Sequence, residues 1–195
     1  MQIGVVSDTH DDADVVAAAV ELFTDSADVV IHCGDVVAPF SATPFDTDAF
    51  DFYAVRGNND GEWALSNTVS SFGTYLGEMG ALTLDGVDIA VYHGTSEPIV
   101  DALVSCGSYD YVLRGHTHQR SHERYLSAED AVRTLSTEGA THGGDTPAAE
   151  EGDTAAHAET VQINPGGLPI PGQEEPPAGV LIDTETGAVE FHTLG

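Results

Sequence analysis

Two hydropathy patterns alternate along this chain. Short, nearly unbroken apolar runs at 2–6, 28–33, 52–56 and 109–114 end in glycine, aspartate or asparagine, which predicts buried strands closed by turns. After the first run the period changes. Val15, Val16, Ala19, Val20 and Phe23 recur at helical spacing behind Asp11 and Asp12, so a helix capped by aspartate is expected to run to about Phe23. Asp85-Gly86 separates the apolar segments 81–84 and 87–92, a strong hairpin signal. A helix follows at 97–106, with Pro98 suited to its first turn. An apolar run at 161–164 leads into the Pro165-Gly166-Gly167 turn, and a last hairpin pairs 179–183 with 188–193. Strand-helix alternation of this kind predicts an α/β fold.

One segment breaks the pattern. Residues 127–160 hold eight acids and one arginine, no aromatic residue, and little large aliphatic content beyond Val132 and Leu135. They cannot bury a core of their own, so a solvated, mobile acidic insertion in a single domain spanning 1–195 is expected. His142 and His157 inside it read as solvated bystanders.

Charge narrows the function. Acidic residues number 33 against 5 basic ones, a formal net charge of -28, and lysine is absent. The acids are spread along the whole chain, so the balance points to a cytoplasm of very high salt, as in a halophile, where a Debye length of roughly 3 Å screens self-repulsion. Nucleic acid is disfavoured as a partner, because phosphate neutralisation needs clustered Lys and Arg. Cys33 and Cys106 lack metal-ligand spacing and read as reduced thiols. No apolar stretch of roughly 18 residues occurs, so a cytoplasmic protein without a membrane span is expected.

The strand ends carry the chemistry. In chain order they hold Asp8, His10, Asp35, Asn58, His93, His116 and His118, each just past an apolar run. Ligands of open α/β sheets gather outside such carboxyl ends. Seven nitrogen and oxygen donors exceed the needs of one ion and suit two, and the mixture fits Mn, Fe, Zn or Co rather than a thiolate zinc site. His32 lies within a strand; it reads as a hydrogen-bonded core histidine or as a ring that orients Asp35.

These motifs, Asp8-Thr-His10, Gly34-Asp35, Gly57-Asn58, His93-Gly94 and Gly115-His-Thr-His118, closely resemble those of the calcineurin-like metallophosphoesterase superfamily. By length and spacing the chain is similar to its small prokaryotic phosphodiesterase branch. The resemblance implies a four-layer α/β/β/α sandwich with two mixed β-sheets. It also implies two divalent transition-metal ions, Mn2+ foremost, with Fe, Zn, Ni or Co as alternatives. Carried over by position, Asp8, His10 and His118 hold one ion, Asn58, His93 and His116 hold the other, and Asp35 bridges. The implied activity is phosphoester hydrolysis, with phosphodiesters preferred, by a hydroxide formed between ions ~3.5–4 Å apart. Asn58 and His93 are the expected catalytic ligands, and Asn59 and Thr117 are expected to contact substrate. Asn59 stands where many superfamily members place a proton-donating histidine, so good leaving groups, or a substitute acid such as His32 or a water, are expected. A non-catalytic scaffold of the same fold, as in a eukaryotic sorting complex, and a nuclease are the competing readings. The partner expected is a small phosphoester, with a homodimer or homo-oligomer left open.

Overall fold

The computed structural model describes residues 1–126, 157 and 159–195. Two mixed sheets lie face to face with helices on their outer sides. The first sheet orders its strands β11(Val189–Thr193), β10(Ala178–Asp183), β1(Gln2–Val6), β2(Val29–His32), β3(Asp51–Val55) and β4(Thr74–Gly77). Strands β1 to β4 run parallel, while β10 and β11 join antiparallel at the edge. The second sheet orders β5(Met79–Leu84), β6(Val87–Tyr92), β7(Tyr111–Leu113), β9(Glu159–Pro165) and β8(Arg120–Leu126). Its centre is parallel and both edges are antiparallel.

Strand alternation divides the apolar residues among three cores. Ile3, Val5, Ile31, Ile89, Val91 and Leu113 point into the space between the sheets. Their neighbours Val6, Val30, Phe52 and Ala54 face outward, beneath α1(Ala13–Ser26) and α3(Glu62–Val69). On the far side Ala90, Tyr92 and Val112 meet Val100, Leu103 and Val104 of α4(Glu97–Ser105). Two central sheets between helical layers make the expected α/β/β/α sandwich. Gly4 permits close packing of α1, since a Cβ there would lie 2.6 Å from the Phe23 ring.

Local signals worked where their chemistry is self-contained. Asp12 caps α1, with Oδ1 accepting from the amides of Asp14 and Val15 at 3.0 Å each. Asp85 and Gly86 both adopt positive φ, 51° and 80°, and close the β5–β6 hairpin. Unforeseen are α2(Pro39–Ala42), the 3-10 turn Thr43–Phe45, α3, β4 and β8. Most of the expected insertion, 127–156 with His142, lies outside the described residues. Its last residues do not: Glu159 and Thr160 begin β9. His157, expected as a bystander, has Nδ1 3.0 Å from Asp110 and Nε2 3.3 Å from Asp88.

Candidate metal centre

The seven candidate ligands gather at the carboxyl ends of five strands drawn from both sheets. Asp8 and His10 follow β1, Asp35 follows β2, Asn58 follows β3, His93 follows β6, and His116 and His118 follow β7. Five of them leave the strand in the left-handed region: Asp8 at φ 54°, His10 at 43°, Asp35 at 59°, His116 at 71° and His118 at 56°. Such backbones cost of order 1–3 kcal/mol each and persist only where surrounding bonds enforce them. Here the loops hold one another. The Asp8 amide donates to the Gly34 carbonyl at 3.0 Å, the His10 amide to Asp35 at 3.1 Å, and the Gly115 amide to His93 at 2.9 Å. Gly57 and Gly115 are needed for this approach, because a Cβ at either would collide with the Asp35 and Asp8 carboxylates.

Within this frame the donor atoms converge. Asp8 Oδ2 accepts from the Ser7 hydroxyl at 2.6 Å and the His116 amide at 3.0 Å. Its Oδ1 is buried without a hydrogen-bond partner. That atom faces Nε2 of His118 at 3.4 Å, of His10 at 3.9 Å and of His93 at 4.0 Å. Asp35 Oδ2 lies 3.5 Å from His10 Nε2 and 3.4 Å from His93 Nε2. Asn58 Oδ1 is 3.1 Å from His93 Nε2, and the His116 ring stands edge-on to His93 with centroids 5.2 Å apart.

Most of these separations are long for hydrogen bonds. Those of 3.1–3.5 Å suit neighbouring ligands on one cation, whose bonds of ~2.0–2.2 Å set donors roughly 3–3.5 Å apart, while the 3.9 and 4.0 Å contacts of His10 and His93 with Asp8 are wider. Ring orientation agrees. His93 Nδ1 sits 2.7 Å from the Cys33 carbonyl and His118 Nδ1 2.5 Å from that of Leu168, so each donates there and turns its Nε2 lone pair inward. Buried oxygen and imidazole donors, two of them orphaned, fit divalent transition-metal ions.

The donors form two overlapping groups, Asp8–His10–His118 and Asp8–Asp35–His93. Asp8 is common to both groups, while Asp35 Oδ2 lies near His10 as well as His93. Electrostatics reflect the crowding. Burial pushes the Asp8 carboxyl up. Burial also opposes ionisation of Asp35, yet the His93 ring and both Asn59 donors outweigh it and hold that carboxyl well below the usual range. Burial lowers and the two carboxylates raise His93, with a net rise, whereas burial and His93 depress His116.

Three expected site residues are placed differently from the ligands. Asn59 donates its amide and its Nδ2 to Asp35 at 2.8 and 2.7 Å, so it orients the carboxylate. Thr117 Oγ1 accepts from Asn164 Nδ2 at 2.9 Å, within a network that fixes the His116–His118 loop. His32 is fully buried behind the loops; Nδ1 accepts from the Gly34 amide at 3.2 Å and Nε2 lies 3.1 Å from Thr9 Oγ1. Burial takes its pKa down to about 3. With both nitrogens engaged and no exposure, His32 braces Thr9 and Gly34 and is not brought to the ligand cluster as a proton donor.

Two further residues escaped sequence reasoning. Asp60 is buried, and its carboxylate accepts from the amides of Gly57, Val37 and Asp35 at 2.7, 2.7 and 3.1 Å. Asn164 donates to the Gly115 carbonyl at 3.0 Å while its Oδ1 accepts from the Gly166 amide at 2.9 Å. Either side chain, standing in a Gly- or Pro-rich turn, is also ordinary turn chemistry, so residue type alone carries no signal.

Known proteins resemble this chain in different degrees. Phosphodiesterase MJ0936 of Methanocaldococcus jannaschii is 33% identical over 130 residues, covering 63% of this chain and 76% of that protein. The structure of an archaeal phosphodiesterase superposes over 100% of both chains at 27% identity and a TM-score of 0.75. Zinc-bound Vps29 of Entamoeba histolytica shares the fold alone, at 16% identity and a TM-score of 0.60, covering 98% of this chain and 97% of that one. The model of the calcineurin-like phosphoesterase superfamily domain matches residues 1–187, nearly the whole chain with all five ligand loops, and the chain belongs to that superfamily.

Proposed function

We propose that this chain is a phosphodiesterase working with two divalent transition-metal ions, manganese foremost, on small phosphoesters. The observation that carries the reading is Asp8 Oδ1, a buried carboxylate oxygen with no hydrogen-bond partner, ringed by three imidazole Nε2 atoms. Asp8, His10 and His118 would hold one ion and Asn58, His93 and His116 the other, with Asp35 available to both. When bound, such ions neutralise phosphoryl charge and make water acidic enough to attack phosphorus near neutral pH. The protein's own part is positional. Asn59 fixes both oxygens of Asp35, and the Nδ1 bonds of His93 and His118 fix their rings.

Leaving-group protonation is the weak point of this machinery. Asn59 carries no titratable proton, and His32 is buried with both nitrogens engaged. Diesters with acidic leaving groups are therefore the favoured substrates. Phosphodiesterase activity is suggested by the named archaeal relative. A full ligand set supports an enzyme over a scaffold, and the -28 charge supports a small substrate over nucleic acid and a high-salt cytoplasm as the setting.

The test is Asp35→Asn. Elemental analysis and metal titration should show loss of paired binding, and hydrolysis of an aryl phosphodiester should fall at least ~100-fold, about 2.7 kcal/mol of barrier. Full activity in that variant overturns the assignment.

A further inference from the structure

The most exposed large apolar side chains among the described residues are both aromatic: Trp63 is 74% and Phe40 65% exposed. Both stand near the start of a helix that springs from a ligand loop. Phe40 follows Asp35 by five residues in α2, and Trp63 follows Asn58 by five in α3. An extended chain of five residues spans at most ~18 Å, which bounds how far each aromatic can stand from the candidate ligand it follows.

Bonds that organise the ligands also fix these helices. Asp60 Oδ1 accepts from the Val37 amide while Oδ2 accepts from those of Asp35 and Gly57. The Gly61 amide donates to the Val37 carbonyl at 3.2 Å, and Asp11 Oδ1 accepts from the Ala38 amide and the Ser41 hydroxyl at 2.9 and 2.6 Å. Helices α2 and α3 pack against each other. Their inward positions are filled by Ala42, Leu65 and Val69, so the exposed rings are not an unfinished core.

Charge makes aromatic contacts valuable here. Each described arginine is already engaged: Arg56 with Glu78, Arg114 with Glu97, Arg124 with Glu159, and Arg120 with the Pro176 carbonyl. In molar salt attraction between exposed charges is screened within roughly 3 Å, whereas stacking of a π-face on an aromatic ring is an apolar contact that salt does not erase.

Resting on the reading of the metal centre as a phosphodiesterase site, we propose that Phe40 and Trp63 form a stacking platform for the aromatic group of the diester, a nucleobase or an aryl ring. The platform selects substrates by their organic half, and the metal centre takes the phosphate. Stacking of one base on one such ring is worth roughly a 10-fold change in affinity.

Trp63 is the single tryptophan of the chain, so its emission reports on this platform directly. Metal-loaded protein in molar potassium chloride is titrated with adenosine 5′-monophosphate, phenyl phosphate and glycerol phosphate. The two aromatic monoesters should quench the emission, with the nucleotide stronger if the occupant is a nucleobase and phenyl phosphate equal if it is any aryl ring. Glycerol phosphate should leave emission unchanged while displacing the nucleotide. Phe40→Ala should weaken nucleotide binding roughly 10-fold with metal content intact. In Trp63→Ala the preference for aryl over dialkyl diesters, as a ratio of kcat/KM, should shrink by a similar factor. Nucleotide inhibition without any change in emission overturns the platform, as does an unchanged substrate preference. Dissociation of an oligomer by Trp63→Ala also overturns it, making this face a contact between copies. Quenching that persists in a protein shown to hydrolyse no phosphoester keeps the platform and sinks the proposed activity instead.

Discussion

Replacing Asp60 by alanine removes one carboxylate that ties three loop amides together. Its partners are the Asp35 amide at 3.1 Å and the Gly57 and Val37 amides at 2.7 Å, and Asp60 is only 5% exposed. A hydrogen bond to a charged group is worth ~1.5–3 kcal/mol net, so three would exceed ~4.5 kcal/mol if they added. They do not add fully. The Val37 amide is only partly buried and recovers some solvation, while those of Asp35 and Gly57 are left buried with no acceptor. An expected loss of about 3–5 kcal/mol is a large share of the 5–15 kcal/mol that holds a typical domain. Asp60→Asn keeps one acceptor oxygen and should lose about half as much.

Urea denaturation of metal-free protein in molar potassium chloride measures the loss, and metal titration of the same variants measures its consequence. Asp35 holds a left-handed backbone at φ 59° only while its amide is anchored. Metal affinity should therefore fall along with stability. Stability of Asp60→Ala within about 1 kcal/mol of wild type, with unchanged affinity, would refute the view that this carboxylate holds the loops. Lost stability with unchanged affinity would leave Asp60 structural only.

Three other outcomes are expected. Rates on a series of aryl phosphodiesters should depend steeply on leaving-group pKa, because Asn59 supplies no proton; a flat dependence would reveal another donor. His32, with its pKa lowered from 6.5 to about 3, stays neutral in the fold while the unfolded chain protonates. Stability is thus complete above pH ~6.5 and declines as pH falls toward ~3, by about 1.4 kcal/mol one unit below the ordinary value; a pH series of melts should show this slope in wild type and lose it in His32→Gln. Melting temperature should rise as potassium chloride goes from about 0.1 M, with a Debye length of ~10 Å, toward molar concentrations; indifference to salt would dispose of the high-salt reading of the -28 charge.

The parts of the fold that were legible are those whose own residues carry the pattern. Helix α1 shows Val15, Val16, Ala19 and Phe23 on one face behind the Asp12 cap, and the β5–β6 turn has Asp85-Gly86. Helix α3 offers only Leu65 and Val69 as fully buried apolar positions, with Ser66, Asn67 and Thr68 between them and no side-chain cap. Its helicity comes from packing on the sheet rather than from propensity. Strand β8, Arg120–Leu126, offers only Tyr125 to a core, and exists because β9 pairs with it along its full length. Its charges suit an edge strand and hide it from a search for alternation.

The candidate ligands were legible for a reason that differs from their geometry. Asp8 with His10, and His116 with His118, read as residues two apart whose side chains fall on one side, as in a strand. The strands have already ended at Val6 and Leu113, and all four residues sit at positive φ. Spacing therefore singled out the candidate pairs, but crossed loops bring them together: Asp8 is tied to Gly34, His10 to Asp35, and Gly115 to His93. Each of these bonds links segments tens of residues apart, and a sequence pattern records only what lies nearby. That is also why Asp60 stayed hidden while its neighbour Asn58 stood out. A ligand is recognised by its donor chemistry, whereas a carboxylate that braces three amides differs from a turn residue only in where the chain brings it.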